Sequence, residues 1–293
     1  MAATFRPRRS VLYMPGSNAR ALEKAKTLPA DALILDIEDA VAPDSKAMAR
    51  EQVCDAFKGG GYGKREIVIR MNGLDTPWGE DDLKAISEAG PNAVLVPKVD
   101  SAAMVQDVEA RMVAAGAPDD LAIWCMMESP RGILRAEEIA GASSRLGALV
   151  MGTSDLIKDV YALHTPMRLP MVTSLSLCIL AARAEGLAVL DGVYLDLQDA
   201  DGFRVACIQG LEFGFDGKTL IHPSQVGPAN DVFAPDAEEV ALSQRMIEAF
   251  AEAEKEGKGV VVVDGRLVEN LHVENAKRLV ALAEAIADLE ETA

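Results

Sequence analysis

The chain lacks several of the motifs on which common catalytic and binding devices depend. Its four cysteines show no Cys-x-x-Cys spacing, and its three histidines show no metal-binding spacing. There is no Gly-x-Ser-x-Gly elbow, no Gly-x-Gly-x-x-Gly after the first predicted strand, and no P-loop lysine-serine. These absences argue against zinc chemistry, serine hydrolysis and a P-loop phosphate cradle. Scattered cysteines favour buried free thiols and a reducing, cytoplasmic location.

The chain also lacks long apolar runs and positive charge. No apolar run reaches the roughly 18 residues that a membrane helix needs, and no secretory signal opens the sequence. The formal net charge of -17 argues against nucleic acid or an anionic membrane as a partner. A local basic cluster can still bind a small anion. The cluster Arg6-Pro7-Arg8-Arg9 fits that reading, and a solvated amino-terminal arm explains it equally well.

Short apolar strands alternate with amphipathic helices eight times within about the first 225 residues. The predicted strands are Ser10–Met14, Asp31–Leu35, Glu66–Ile69, Ala93–Val96, Ala122–Met127, Ala148–Met151, Ala188–Leu190 and Glu212–Phe215. This number and length predict an α/β fold, a (β/α)₈ TIM barrel over residues 1–225. A doubly wound open sheet is the alternative. It is disfavoured because polar residues follow strands around the whole cycle.

Residues 226–293 are predicted to form a C-terminal helical extension. A long helix fits Asp236–Glu256, a β-like segment fits Val260–Val263, and a last helix fits His272–Leu289. This segment is too long for a simple end cap. It can pack on its own barrel, or at a subunit interface where it contributes to a neighbouring active site.

Two carboxylates follow the two central strands of the predicted barrel. Glu128 ends the run Ala122–Met127, and Asp155 comes shortly after the run Ala148–Met151. Parallel strands joined by a helix end on the same side, so the two side chains should lie close together. Paired carboxylates suit Mg²⁺, which prefers hard oxygen ligands and keeps several water or substrate oxygens. The sequence therefore predicts a magnesium site here.

Other polar residues follow neighbouring strands and should share the same pocket in a barrel. They are Asp36, Glu38, Arg70 and Lys98. An arginine can hold a carboxylate bidentately, while a divalent ion chelates a carboxylate and an adjacent hydroxyl or keto oxygen. This set suits small hydroxy or keto acids. A metal-polarised carbonyl beside a developing enolate is also what aldol or Claisen-type cleavage requires.

Many of these segments resemble the citrate lyase β-subunit and malyl-CoA lyase superfamily. The resemblance covers nearly the whole chain, in family order, at Arg9–Gly16, Asp36–Val41, Arg70–Gly73, Pro97-Lys98, Met127-Glu128, Gly152–Leu156, Gly214–Lys218 and His222-Pro223. It implies a TIM barrel, a homotrimer or homohexamer, and a CoA-thioester substrate.

The resemblance also implies roles for single residues. Glu128 and Asp155 would hold Mg²⁺ or Mn²⁺, and Arg70 would bind the carboxylate of the substrate. Arg9 would contact the phosphates of CoA. The substrate acid would meet the backbone N–H groups of Gly152, Thr153 and Ser154.

The tail distinguishes branches of this superfamily. Lyases of the group carry an aspartate in a Met-Ile-Asp motif, supplied by a neighbouring subunit, and the matching position here is Glu269. The segment Val268–His272, together with Asp191–Tyr194, most resembles the (3S)-malyl-CoA thioesterase branch. The resemblance thus implies Mg²⁺-dependent hydrolysis of (3S)-malyl-CoA to malate and CoA. Glu269, Glu38 and Asp36 are the candidate catalytic residues.

Other functions remain open at this point. A carbon–carbon lyase acting on malyl-CoA, β-methylmalyl-CoA, citramalyl-CoA or citryl-CoA would use the same anchoring groups. A pyruvate-type aldolase would need no CoA site. A non-catalytic subunit is disfavoured because both metal carboxylates and Arg70 are present.

Overall fold

The computed structural model describes residues 6–291, and its main feature is a closed barrel of eight parallel strands. In chain order the strands are β1 Ser10–Pro15, β2 Ala32–Asp36, β3 Glu66–Arg70, β4 Ala93–Val96, β5 Ala122–Met127, β6 Leu146–Met151, β7 Ala188–Asp191 and β8 Gly217–Leu220. Each strand pairs with the next, and β8 pairs with β1. The TIM barrel is therefore confirmed. The carboxyl ends of all eight strands lie at one end of it.

Helices connect the strands on the outside. They are α1 Ala19–Ala25, α2 Lys46–Gly59, α3 Gly79–Ala89, α4 Ala102–Ala114, α5 Pro130–Leu134, α6 Ala136–Ala140, α7 Thr153–Asp159, α8 Val172–Ala184, α9 Ala200–Phe213 and α10 Val226–Phe233. Short 3₁₀ turns occupy Pro43–Ser45, Leu169–Met171 and Pro223–Gln225. Across residues 6–291, no helix combines the length and apolar character that a membrane crossing requires.

The strands are buried on both faces because their side chains alternate between two cores. On β2, Leu33 and Leu35 join the layer between strands and helices, whereas Ile34 points into the barrel. Trp124 and Met126 of β5 also fill the interior. The barrel interior is thus a packed core, with polar side chains at its two ends.

Two arginines lie at the amino ends of the strands, opposite the predicted site. The guanidinium of Arg8 bonds both oxygens of Glu66 at 2.6 and 2.9 Å and lies over the ring of Trp124. Arg9 is buried, and its guanidinium bonds both oxygens of Asp31 at 2.9 and 2.8 Å. Arg9 was predicted to contact CoA phosphates, and in the described structure its guanidinium is engaged by Asp31. It precedes β1, and its charged group is held in an ion pair inside the protein.

The eighth strand differs from the prediction. The sequence places it at Glu212–Phe215, but α9 continues to Phe213 and β8 begins at Gly217. Gly214 ends the helix in the left-handed region, with φ of 100°. The predicted strand excludes Lys218 because a lysine is untypical of a buried strand. Its ammonium bonds Asp191 of β7 at 2.8 Å, and that ion pair allows it to be buried.

The chain divides into two units, with the boundary after Phe233 rather than after residue 225. Helix α10 packs against α9, β1 and β8, so the barrel unit extends to its end. The C-terminal unit contains α11 Ala237–Lys255, β9 Val261–Val263, β10 Arg266–Val268 and α12 Asn270–Glu290. Strands β9 and β10 form an antiparallel hairpin, and α11 packs on α12. The unit has its own apolar core, which includes Phe250, Val263, Val268 and Val273.

Replacing Asp31 with asparagine should destabilise the barrel strongly. It would leave the buried charge of Arg9 without its carboxylate, and breaking one partner of such a pair typically costs about 3–5 kcal/mol. The matched control is Asp81→Asn, because the side chain of Asp81 is 70% exposed and meets Arg50 only at 3.5 Å. Urea unfolding should show a loss below about 1 kcal/mol for the control. Equal losses in both variants would contradict the structural role assigned to Arg9.

Candidate active site

Two adjoining cavities open at the carboxyl end of the barrel. One, of about 500 Å³, lies over the barrel mouth, and the other, of about 690 Å³, lies beside it over α5 and α7. Glu128 and Asp155 line both cavities. The first cavity also contains Tyr13, Asp36 and Arg70. The fold therefore brings most of the predicted residues together around the carboxylate pair.

Glu128 and Asp155 are held by different local structures. Glu128 directly follows β5 and is buried, and its Oε1 accepts the backbone N–H of Lys98 at 2.8 Å. Asp155 lies in the first turn of α7, where its Oδ1 accepts a bond from the exposed Lys158 at 2.8 Å. Gly152 lies between them. A β-carbon at Gly152 would overlap the side chain of Glu128, so only glycine lets β6 end this close to the carboxylate.

Burial raises the pKa of Glu128 to about 7. The negative charges of Glu38 and Asp155 raise it further, while the N–H of Lys98 opposes the shift. A carboxylate in such surroundings ionises readily only when a positive charge comes close. A divalent cation bound by Glu128 and Asp155 would supply that charge.

The donor set fits Mg²⁺. No group of three or more His, Cys, Asp or Glu side chains within residues 6–291 is placed to hold a metal. Two carboxylates beside an open cavity are nevertheless what Mg²⁺ commonly uses, because it keeps water or substrate oxygens in its remaining positions. Mn²⁺ suits the same oxygen ligands.

Arg70 ends β3 and is oriented by two carboxylates. Its Nε and Nη2 bond the two oxygens of Asp36 at 2.8 and 2.6 Å, and its Nη1 lies 2.9 Å from Oε2 of Glu38. The guanidinium also lies 4.9 Å from the ring centre of Tyr13. Three of its five N–H groups are engaged, so Nη1 and Nη2 each retain one hydrogen for a ligand. The outer edge of Arg70 can therefore still bind a carboxylate.

Asp36, a predicted catalytic residue, is engaged by hydrogen bonds on both carboxylate oxygens. Besides Arg70, its carboxylate accepts the backbone N–H groups of Glu38 at 2.9 Å and Ala40 at 3.3 Å. The side chain is buried and both oxygens are occupied. Asp36 is suited to orient Arg70 rather than to exchange protons with a substrate.

Glu38 is the better-placed acid of the β2 turn. Its Oε2 meets Arg70, and its Oε1 lies 3.7 Å from the ammonium of Lys98. Burial raises its pKa, and the charge of Arg70 opposes that rise. Below it, the ammonium of Lys46 donates to the backbone carbonyl of Glu38 at 2.7 Å. The hydrogen bond from Lys46 thus fixes the backbone of the turn that carries Glu38.

The expected backbone donors are only partly available. The N–H of Gly152 donates to Met127 O at 3.1 Å, so Gly152 does not present it to a substrate. Thr153 and Ser154 line the barrel cavity in the first turn of α7. N–H groups of a first helical turn have no partner within their helix.

Glu269 belongs to the C-terminal unit. It immediately precedes α12 and is partly exposed, and its backbone N–H donates to Nδ1 of His272 at 3.1 Å. Residue Glu269 and the barrel residues are therefore in separate units of the chain.

The sequence analysis missed a buried ion cluster beside the site. Asp191 accepts bonds from Lys218 at 2.8 Å and from Arg168 at 2.6 and 2.8 Å. Burial disfavours its charge, but the two cations outweigh that effect and hold the pKa of Asp191 below its usual value. Asp191 could have been found at the end of its strand. Arg168 lies in a loop without a motif, and only the fold brings it there.

A TIM barrel whose strand ends combine two carboxylates with a buried arginine offers groups suited to a divalent ion and a small carboxylate. Comparison with known proteins defines the group. A family model described as HpcH/HpaI aldolase/citrate lyase matches residues 9–223. The chain belongs to this family.

Relatives within the family extend over the whole chain. A (3S)-malyl-CoA thioesterase from Cereibacter sphaeroides is 53% identical over 287 residues, covering 98% of both chains. An L-malyl-CoA/beta-methylmalyl-CoA lyase from the same species is 34% identical, again covering 98% of both. Among solved structures, the protein CitE from Mycobacterium tuberculosis, in complex with magnesium, acetoacetate and coenzyme A, is 27% identical. It aligns with a TM-score of 0.73 over 95% of this chain and 98% of that chain.

Glu128→Gln should stabilise the metal-free protein at pH 8. Unfolded, the carboxyl ionises above pH 4.5, whereas in the fold it keeps its proton up to about pH 7. The contribution of the Glu128 carboxyl group to the free energy of unfolding therefore falls as the pH rises between these values, by up to about 3 kcal/mol. Urea unfolding in a chelator should show the gain at pH 8 and a smaller gain at pH 5.

The control for this measurement is Glu51→Gln, an exposed glutamate on α2. It should change stability by less than about 0.5 kcal/mol at both pH values. A Glu128→Gln protein no more stable than wild type at pH 8 would contradict the raised pKa of Glu128 in the metal-free protein.

Proposed function

We propose that this protein is a magnesium-dependent thioesterase that hydrolyses (3S)-malyl-CoA to malate and CoA. The observation that carries the proposal is the 53% identity, over 98% of both chains, to a (3S)-malyl-CoA thioesterase. The intact group of Glu128, Asp155 and Arg70 at the barrel mouth supports it. Magnesium in the CitE complex supports the choice of metal, and Mn²⁺ is the alternative.

The acyl end of the substrate would lie over the barrel mouth. Glu128 and Asp155 would hold the ion, which supplies a Lewis acid for the carboxylate and hydroxyl oxygens of the malyl group. Arg70 would bind the same carboxylate with its outer N–H groups. Asp36 would keep the guanidinium in plane, so the acyl group is oriented before reaction.

Hydrolysis then needs a base for water. Glu38 or Glu269 would take a proton from a water molecule as its oxygen attacks the thioester carbonyl. The C–S bond breaks, and the proton passes to the departing sulfur of CoA, leaving malate. Burial raises the pKa of Glu38, which makes its carboxylate a stronger base than that of an exposed glutamate.

Carbon–carbon cleavage is the second candidate function, favoured by the 34% identity to an L-malyl-CoA/beta-methylmalyl-CoA lyase. The anchoring would be unchanged. A base would remove the proton of the hydroxyl, the bond between the carbinol carbon and the neighbouring methylene would break, and Glu269 would protonate the enolate carbon. The products would be glyoxylate and acetyl-CoA.

We further propose that the C-terminal unit completes the site of a neighbouring copy in a homotrimer or homohexamer. Around Glu269 the large apolar side chains of Val262, Leu267 and Leu271 are more than half exposed. On the barrel, Tyr161 and Leu163 in the loop after α7 are also exposed. Exposed apolar patches of this kind mark interaction surfaces.

The four buried free cysteines support a cytoplasmic location.

Product analysis tests the main proposal. Purified protein with Mg²⁺ and (S)-malyl-CoA should yield malate and free CoA, separated chromatographically, and no product once a chelator removes the metal. Acetyl-CoA with glyoxylate would instead establish the lyase. Absence of turnover with any malyl, citramalyl or citryl thioester would reject both and favour a CoA-independent aldolase or a non-catalytic subunit.

Glu269→Gln should lower kcat at least about a hundredfold, because general acid–base groups typically contribute that much. Glu274→Gln is the control, since Glu274 is exposed on the same helix.

If Glu269 acts in a neighbouring copy, mixing Glu269→Gln with Asp155→Asn protein under subunit exchange should restore part of the activity. Mixed protein as inactive as its parents would reject the shared site. Loss only in Glu38→Gln would place the base at Glu38.

A further inference from the structure

Lys98 has an unusual backbone conformation at the mouth of the barrel. It follows β4, and its φ is 51°, one of four positive φ values at non-glycine residues within residues 6–291. The left-handed region crowds the β-carbon of an ordinary residue. Such a conformation persists when its surroundings impose it, and it is often found at functional sites. A glycine would adopt it with less strain.

The backbone of Lys98 contacts the carboxylate of Glu128. The N–H of Lys98 donates to Oε1 of Glu128 at 2.8 Å. This bond connects the end of β4 to the residue after β5 and orients the buried carboxyl group. The positive φ of Lys98 turns the chain that follows this bond.

The side chain of Lys98 has a second environment. It is 59% exposed, lines the cavity of about 690 Å³, and brings its ammonium 3.7 Å from Oε1 of Glu38. Burial acts against its charge, but Glu38, Asp39, Glu128 and Asp155 raise its pKa, so it stays protonated. A cation therefore stands at the rim, between Glu38 and the metal carboxylates.

We propose that Lys98 has two roles: its backbone positions Glu128 for the metal, and its ammonium binds the thioester carbonyl oxygen of the substrate. The second role rests on the proposed function. In that pose the ion and Arg70 hold the carboxylate of the acyl group, so the thioester oxygen remains without a partner. That oxygen gains negative charge in both hydrolysis and enolate formation, where a nearby cation is most effective.

The combination explains why a lysine occupies a position that suits glycine. Glycine would deliver the N–H to Glu128 with less strain, but it has no cation. Lysine supplies both groups from one residue.

Three substitutions separate the two roles. Lys98→Gly removes the side chain and relieves the strain, Lys98→Ala removes the side chain beyond the β-carbon and keeps the strain of the wild type, and Lys98→Met removes only the charge. Lys84→Ala, at an exposed lysine on α3, is the control. Circular dichroism and thermal unfolding check that each protein folds.

The first readout is Mn²⁺ binding by calorimetry, without substrate. All three variants keep the backbone N–H, so each should bind Mn²⁺ within about threefold of wild type. A loss of tenfold or more in both Lys98→Ala and Lys98→Met would show that the side chain positions Glu128, and would overturn the backbone role.

The second readout is steady-state turnover of (S)-malyl-CoA. All three variants should lose at least about tenfold in kcat with little change in KM, since the contact strengthens as charge develops. Unchanged kcat in Lys98→Gly and Lys98→Met would overturn the substrate role. A wild-type protein without turnover would reject the proposed function and this role with it, while Mn²⁺ binding would still decide the backbone role.

Discussion

The site depends on the difficulty of holding several carboxylates together out of water. Asp36 and Glu38 are buried at the carboxyl end of β2 and Glu128 at that of β5, and Asp155 lies in the cavity that Asp36 and Glu128 line. Like charges at this distance repel, and burial weakens the solvation that would otherwise screen them. The protein offsets part of this with Arg70, whose guanidinium serves Asp36 and Glu38 together. Glu128 receives the backbone N–H of Lys98, and burial raises its pKa to about 7. A bound cation would favour its ionised form.

This arrangement clarifies how one site can support either of two reactions. Asp36 and Arg70 form a rigid pair at the base of the cavity, so the acyl group would be held identically in hydrolysis and in carbon–carbon cleavage. If Glu269 acts as proposed, the outcome would depend on which bond lies within reach of its carboxyl group. Glutamate is one methylene longer than aspartate, and proton transfer needs heavy atoms within about 3 Å.

Much of this was readable from the sequence, for identifiable reasons. Parallel strands that alternate with helices must end on one side, so Glu128, Asp155 and Arg70 could be assigned to one pocket before the structure was known. The sequence did not show which residue pairs with each charged side chain. Arg9 and Lys218 look like free cations in the sequence, yet each is buried against an aspartate from a different strand segment. The same holds for Asp36, whose charge is paired with Arg70, a residue 34 positions later. The left-handed turn at Lys98 leaves no pattern in the sequence, because it is imposed by contacts.

The closed amino end of the barrel sets the order of events during a catalytic cycle. Trp124 and the Arg8–Glu66 pair fill the interior beneath the site, so nothing can leave through the floor. If the protein acts as proposed, an acyl group bound deep in the mouth would leave the CoA portion at the open carboxyl end. The CoA product would then leave before the small acid. Free acid would compete with incoming thioester for the empty enzyme, so its accumulation would slow turnover.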